Sequence, residues 1–173
     1  ILNPDVELAA EALAEGVTRL EKDQTVALLS PYVEGKNGTQ EYLCKRHPSV
    51  LVLLLRAFLP RVGRRLFSAR LQHYEMSDVC GTVEAGVPMV SGCFMLARTA
   101  QLREVGGFDE YYFLYFEDFD LSLRLARFGT LLYTPQIRIV HHGGYAGNKG
   151  WRHLQLFARS GFRFFQRYGW RWV

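Results

Sequence analysis

Between Gly107 and Leu121 the chain interleaves carboxylates with aromatic side chains. Asp109, Glu110, Glu117, Asp118 and Asp120 stand among Phe108, Tyr111, Tyr112, Phe113, Tyr115, Phe116 and Phe119. Carboxylates of this kind can take a proton from a hydroxyl or ligate a hard cation. A helical pattern follows at once: Leu121, Leu125 and Phe128 recur at i, i+4 and i+7, and Gly129 is the expected C-cap. On that helix Asp120, Arg124 and Arg127 fall on the face opposite the apolar stripe, where Asp120 can pair with Arg124 at i+4. Asp118 lies beside the stripe in the first turn, with no basic residue at i+3 or i+4. Acids at helix starts also simply complement the dipole. The residues alone therefore leave Asp118 open between reactive base and structural acid, while Asp120 reads as structural.

Two other groups could do chemistry. In Asn3-Pro4-Asp5, Asn suits an N-cap, Pro the first helical position and Asp the dipole, so a structural reading is complete in itself. His141-His142-Gly143-Gly144 lacks the spacing of a zinc site and on its residues alone reads as structural or exposed.

The elements that must position these groups form an α/β pattern. Ile1-Leu2 is the end of a strand, and a helix follows Asp5 with Val6, Ala9, Ala10, Leu13, Val17 and Leu20 on its apolar face. Residues 25–33 are a buried strand, 34–38 a turn marked by Asn37-Gly38, and 39–43 a return strand. Ser49 caps an apolar helix that Pro60 stops. In 61–74, arginines alternate with apolar residues, as in a solvated helix or a basic amphipathic segment on anionic lipid. Residues 83–90 and 93–96 are strands that bracket Ser91-Gly92, and a glycine there marks close approach. Thr99 caps a short helix closed by Gly106-Gly107. Residues 131–134 and 136–140 are short strands split by Pro135. Residues 150–169 form a C-terminal amphipathic helix, with Arg159, Arg163 and Arg167 along one face, either solvated or lying in a membrane plane beside Trp170 and Trp172.

Composition narrows the partners. The chain has 173 residues, 49% apolar and 22% charged, with net charge +4, which suits one domain, residues 1–173, and an anionic partner. The basic residues are spread over several segments, so no nucleic-acid partner is expected. Cys44, Cys80 and Cys93 form no motif spacing, as expected of free thiols in the cytoplasm. The apolar run 50–55 is far shorter than the about 20 residues of a membrane helix. The chain opens on Ile in mid-pattern, as a fragment would.

Ser91-Gly92-Cys93-Phe94-Met95-Leu96-Ala97-Arg98, then Gly106-Gly107-Phe108-Asp109-Glu110, then Phe113 through Arg124 with Glu117-Asp118-Phe119-Asp120 at its centre, resembles the acceptor half of family 2 glycosyltransferases. It is most similar to their rhamnosyltransferase-like branch. The resemblance implies the C-terminal part of a GT-A fold, a mixed sheet flanked by helices, without the N-terminal nucleotide-binding half. It implies an inverting transferase that moves a sugar, rhamnose among the candidates, from a nucleotide-diphosphate donor to a hydroxyl of a glycan or lipid-linked acceptor in cell-envelope polysaccharide synthesis. Asp118 would be the base with Glu117 beside it, and Ser91, Gly92, Asp109 and Glu110 would border the acceptor. Asp5 matches the last acid of the family's D-x-D variant, with Asn3 in place of the first. His141, with His142 second, matches the His near the donor diphosphate. Asp5 and His141 would thus serve the diphosphate and a divalent cation, Mn²⁺ or Mg²⁺. Where the family carries two basic residues, only Arg98 is kept, and Tyr145-Ala146-Gly147 replaces the family's following Ser. The expected setting is peripheral, on an anionic inner membrane face. The alternative is a non-catalytic truncated module that binds membrane or a partner chain.

Overall fold

The structure, a computed structural model, describes residues 1–143 and 150–173; Gly144 and Tyr145-Ala146-Gly147 lie outside the described residues. Its centre is a parallel pair, β2 (Val26–Gly35) and β8 (Thr130–His141). Both faces of β2 are covered, so its residues are nearly all buried, which is why they form a continuous apolar run instead of an alternating one. Along β8 lie β1 (Val6–Leu8) and β5 (Ala85–Gly86); along β2 lie β3 (Gln40–Glu41) and β7 (Leu96–Ala97), all four antiparallel. A separate short pair joins β4 (Cys44–Lys45) to β6 (Met89–Val90). The fold is therefore the expected α/β mixed sheet flanked by helices.

Helix α1 (Ala12–Lys22) covers one face of the sheet, where Ala12 and Leu20 pack with Val26, Leu29, Ile137 and Ile139. Helix α6 (Glu117–Leu125) covers the other, where Leu121 and Leu125 meet Leu28, Met95, Leu131 and Tyr133. Three helices, α2 (Val50–Phe58), α3 (Pro60–Leu66) and α4 (Ser68–Glu75), form a flank; Ser49 caps α2 by accepting the Val52 N–H at 3.2 Å. Helix α5 (Thr99–Glu104) is short, and α7 (Trp151–Tyr168) packs its Phe164 and Phe165 near Tyr112, Phe116, Leu53 and Met89.

Several sequence expectations are corrected. Val6–Leu8 is a strand, not the start of a helix, because its backbone pairs with Ile139–His141; tertiary pairing overrides a helical period this short. Helix α1 consequently buries Ala12, Gly16 and Leu20 and leaves Leu13 and Val17 exposed. Helix α6 ends at Leu125, short of Gly129. Pro135 does not split β8 but sits where the register shifts between Pro31 and Tyr32 of β2. Arg98, not Thr99, precedes α5 at the cap position, without a side-chain cap. The strands expected over 83–90 and 93–96 shrink to two-residue pairings.

The basic face of α7 is paired in part, although Arg159 and Arg167 stay exposed. Arg163 and Arg167 bond Asp109 at 3.4 and 2.9 Å, Arg167 reaches Asp120 at 3.0 Å, and Arg163 lies 3.4 Å from the Tyr111 ring centre. After α7, Trp170 stacks on Phe165 and Trp172, and the Arg171 and Trp172 carbonyls accept the Val50 and Leu51 N–H groups at the start of α2. The terminal segment thus ties α7 to α2.

Candidate active site

The chain enters α6 through two consecutive non-glycine residues in the left-handed region, Tyr115 (φ 68°) and Phe116 (φ 65°). Each costs about 1–3 kcal/mol and persists only where the surroundings enforce it. Here Phe116 is buried against Phe119, Phe157 and Phe164. This turn delivers Glu117 and Asp118 to the wall of a cleft of about 860 Å³, which Ser91, Phe119, His153 and Phe157 also line.

Asp118 is held on both oxygens. Oδ2 accepts the Gly92 N–H and Oδ1 the Phe119 N–H, each at 2.8 Å. Burial raises its pKa above the ordinary range, while these two N–H groups and the Ser91 hydroxyl pull it back. Glu117 is pushed up to about 6 by burial and then by the charge of Asp118. Its Oε2 is buried without a hydrogen-bond partner among the described residues. One turn on, Ser122 bonds both the Val90 N–H (3.1 Å) and the Val90 carbonyl (3.2 Å). Helix α6 therefore grips the 90–92 segment at two points, and a Cβ on Gly92 would sit 3.3 Å from the Asp118 Cβ.

The same segment leads to a second pole. Leu2 bridges Phe94, and the Asn3 N–H reaches the Cys93 carbonyl at 3.1 Å. Beyond Asn3, Asp5 meets His141 at the end of β8. His141 Nε2 lies 3.5 Å from Asp5 Oδ2, and Nδ1 lies 2.8 Å from Glu41 Oε2. A carboxylate on one ring nitrogen fixes the tautomer and leaves the other for a metal, the usual support of a histidine ligand. The pair also has a built cradle: a Cβ on Gly143 would meet His141 Nε2 at 2.4 Å and Asp5 Oδ2 at 2.9 Å. Among the described residues no group of three or more His, Cys, Asp or Glu side chains is gathered for a metal. Asp5 and His141 could therefore offer a cation two side-chain ligands, and its remaining ligands would have to be a diphosphate and water, as for Mg²⁺. Burial and the charges of Asp5 and Glu41 push the Cys93 thiol up to about 12, so it is no thiolate competitor near neutral pH.

No protein-family model matches the chain. It is 30% identical to an N-acetylglucosaminyl-diphospho-decaprenol L-rhamnosyltransferase of two Mycobacterium tuberculosis strains, over 95% of this chain and 53% of the relative. Over nearly its whole length the chain is similar to this rhamnosyltransferase. It is also 26% identical to the rhamnosyltransferase WbbL of Escherichia coli K12, over 82% of this chain and 50% of the relative. The chain spans about half the length of these curated relatives. Among solved structures, GalNAc-T7 with UDP, GalNAc and Mn²⁺ superposes with a TM-score of 0.54 at 18% identity, covering 90% of this chain and 29% of that one. The shared fold is that of GT-A glycosyltransferases.

The residues singled out in the sequence fall into three groups. Asp118, Glu117, Ser91 and Gly92 converge on the cleft. Asp5 and His141 meet at the second pole, while His142 turns to Glu7 at 2.9 Å and is exposed. Asp109 and Glu110 do not line the cleft. Asp109 accepts the Tyr111 N–H at 3.0 Å and holds Arg163 and Arg167, which keep its pKa low after that N–H, and Glu110 is exposed. Arg98 donates to the carbonyls of Leu20, Asp23 and Val26, at the end of α1. Asp120 is 0% exposed, not on a solvated face, because α7 covers it. Its Oδ2 takes Arg124 Nε at 2.7 Å and its Oδ1 the Tyr168 hydroxyl at 2.7 Å. Sequence reading missed Glu41, Lys45, Arg56 and Ser122. Only Ser122 carried a signal, its i+4 spacing from Asp118 on one helix face.

Proposed function

We propose that the chain is the acceptor-side half of an inverting glycosyltransferase, which moves rhamnose or a related sugar from a nucleotide diphosphate to a hydroxyl of a diphospholipid-linked glycan. The observation that carries this is Asp118: a carboxylate oriented by two N–H donors at 2.8 Å, half-buried, in the wall of an aromatic cleft. As the acceptor oxygen bonds to the anomeric carbon, its proton passes to Asp118. A base positioned in this way is worth about 10²–10⁴-fold in rate. Its raised pKa makes the carboxylate a stronger base than an exposed Asp. Attack from the face opposite the departing diphosphate, in one displacement, inverts the anomeric configuration. The unpartnered Glu117 Oε2 is placed to accept a second acceptor hydroxyl.

Asp5 and His141 are the residues that would hold a divalent cation, Mn²⁺ or Mg²⁺, with Glu41 orienting the imidazole. Such an ion supplies charge compensation for the leaving diphosphate. The named relatives act on diphospho-decaprenol or carry rhamnosyltransferase in their names, which supports both the donor sugar and a lipid-linked acceptor for this chain.

The setting fits that acceptor. No helix among the described residues is long and apolar enough to cross a membrane. Helices α2 and α3 instead expose Leu54, Phe58, Leu59, Val62 and Leu66, the last 69% exposed, among Arg61, Arg64 and Arg65. Apolar side chains rimmed by arginines suit the surface of an anionic membrane on its cytoplasmic side. The full-length enzyme that carries this half is to be incubated with a panel of nucleotide sugars, Mn²⁺ and prenyl-diphospho-N-acetylglucosamine. The reading expects one added deoxyhexose, with the anomeric configuration opposite to the donor's by NMR. Donor binding without transfer to any acceptor would instead leave a non-catalytic module.

A further inference from the structure

The cleft that holds Asp118 is also lined by basic side chains. Lys45, on β4, is only 9% exposed and lines the cleft with Arg56 of α2. Its ammonium donates to the Tyr42 carbonyl, and among the described residues no carboxylate lies within ion-pair distance of it. Burying an ammonium without a counter-charge costs several kcal/mol, so such groups are normally paired. Arg56 is paired, with Glu75, and lies 5.3 Å from the Tyr74 ring centre. That leaves these two cations with a single carboxylate between them.

Among charged neighbours, Arg56 and then Glu75 act most strongly on Lys45. Lys45 is held down at about 8 by burial and then Arg56, which still leaves it mostly charged at neutral pH. Beyond Arg56 on the same helix, Phe58 lines the cleft yet is 55% exposed, so it stands at the rim, with exposed Leu54 nearby on α2. One cleft therefore gathers a carboxylate base, a cationic pair and an exposed apolar side chain.

We propose that Lys45 and Arg56 form a seat for a phosphate carried by the acceptor sugar, so that the enzyme selects acceptors bearing an anomeric phosphate over neutral glycosides. This rests on the transferase reading above and assigns the residues that would recognise its acceptor's phosphate. The chemistry matches each region: a sugar hydroxyl meets Asp118, a phosphate dianion meets the two cations through charge-assisted hydrogen bonds, and hydrocarbon attached beyond the phosphate meets Phe58. The donor's diphosphate is the competing source of such an anion, and its expected place is the Asp5–His141 pole.

Calorimetric titration separates the two. N-acetylglucosamine 1-phosphate, methyl N-acetylglucosaminide, and a nucleoside diphosphate with Mn²⁺ are to be titrated into the wild-type protein, Lys45→Met and Arg56→Gln. Met keeps the buried stem of Lys45 and removes only its charge, so folding is retained. The wild type should bind the sugar phosphate at least about tenfold more tightly than the methyl glycoside, a factor within reach of one charge-assisted contact. Each variant should erase most of that preference and leave methyl glycoside and nucleotide affinities unchanged. Equal binding of the two sugars by the wild type overturns the proposal. So does a variant that loses nucleotide affinity, because the cations would then serve the donor. In transfer assays the variants should raise KM for a diphospholipid acceptor and leave kcat in place. A wild type that binds the sugar phosphate but glycosylates nothing retains the seat and refutes the transferase reading instead.

Discussion

Asp120→Asn separates a surface ion pair from a buried network. On an exposed helix an Asp–Arg pair at i,i+4 is worth about 0.2–0.5 kcal/mol. In this fold Asp120 has no exposed surface and Arg124 is only 7% exposed. One carboxylate oxygen takes Arg124 Nε at 2.7 Å; the other takes the Tyr168 hydroxyl at 2.7 Å and Arg167 at 3.0 Å. Arg124 donates from Nη1 to the Val105 carbonyl at 2.6 Å, and its Nη2 is already without a partner among the described residues. Neutralising Asp120 therefore leaves a buried guanidinium with one carbonyl and no counter-charge. Removing one partner of a buried pair costs about 3–5 kcal/mol. Asn keeps the shape and one acceptor, so the lower end, about 3 kcal/mol, is expected. With an m-value of about 2 kcal/mol/M, the urea midpoint should fall by roughly 1.5 M. Equilibrium unfolding followed by far-UV circular dichroism and by tryptophan fluorescence measures it. A loss below about 0.5 kcal/mol, the value of an exposed pair, would refute the burial of Asp120 under α7.

Other perturbations test the site itself. Because Asp118 must be ionised to accept a proton and burial raises its pKa, kcat/KM should fall as pH drops through a value above the ordinary 3.8. Ser91→Ala removes a group that lowers that pKa and should move the limb to higher pH. Glu117, pushed up to about 6, does not draw on Ser91, so an unmoved limb would assign the titration to Glu117. Asp5→Asn, His141→Ala and Gly143→Ala should each weaken Mn²⁺ binding by calorimetry, the last because its Cβ meets His141 Nε2 at 2.4 Å. Higher Mn²⁺ should partly restore activity by mass action; wild-type Mn²⁺ affinity in all three would remove that pole from the metal site. Sedimentation with anionic liposomes should show binding that falls as salt rises, since attraction by Arg61, Arg64 and Arg65 is screened over about a Debye length. Salt-independent binding, equal on neutral lipid, would contradict the electrostatic part of the docking.

Much of this architecture is legible in the sequence because local signals agree with tertiary need. The continuous apolar run of β2, the Ser49 cap and the Asn37-Gly38 turn each specify their element in a short window. Asp118 was legible by its place at a helix start beside the stripe. Three things were not. Val6–Leu8 carries both a helical and an alternating pattern, and only its pairing with β8 decides. The burial of Asp120 depends on α7, which follows it by some thirty residues in the chain and brings Arg167 and Tyr168 over it. Lys45 and Glu41 have no local signature, because a short strand of polar residues shows neither what it faces nor which distant residue it meets. The arginines of α7 mark the general limit: periodicity placed them on one face, but not Asp109 and Tyr111 opposite them.

The central claim is that Asp118, and not its neighbour two residues on, is the base. The decisive measurement is single-turnover transfer from a nucleotide sugar by the full-length enzyme as wild type, Asp118→Asn and Asp120→Asn, at saturating donor and Mn²⁺, using folded protein only. Asp118→Asn should bind Mn²⁺ and donor normally and transfer about 10²–10⁴-fold more slowly, the range for a lost general base. Asp120→Asn, once its folded fraction is accounted for, should retain turnover within about tenfold, since its carboxylate is closed off by Arg124, Arg167 and Tyr168. Near-normal transfer by Asp118→Asn, with transfer abolished in folded Asp120→Asn, would contradict the account.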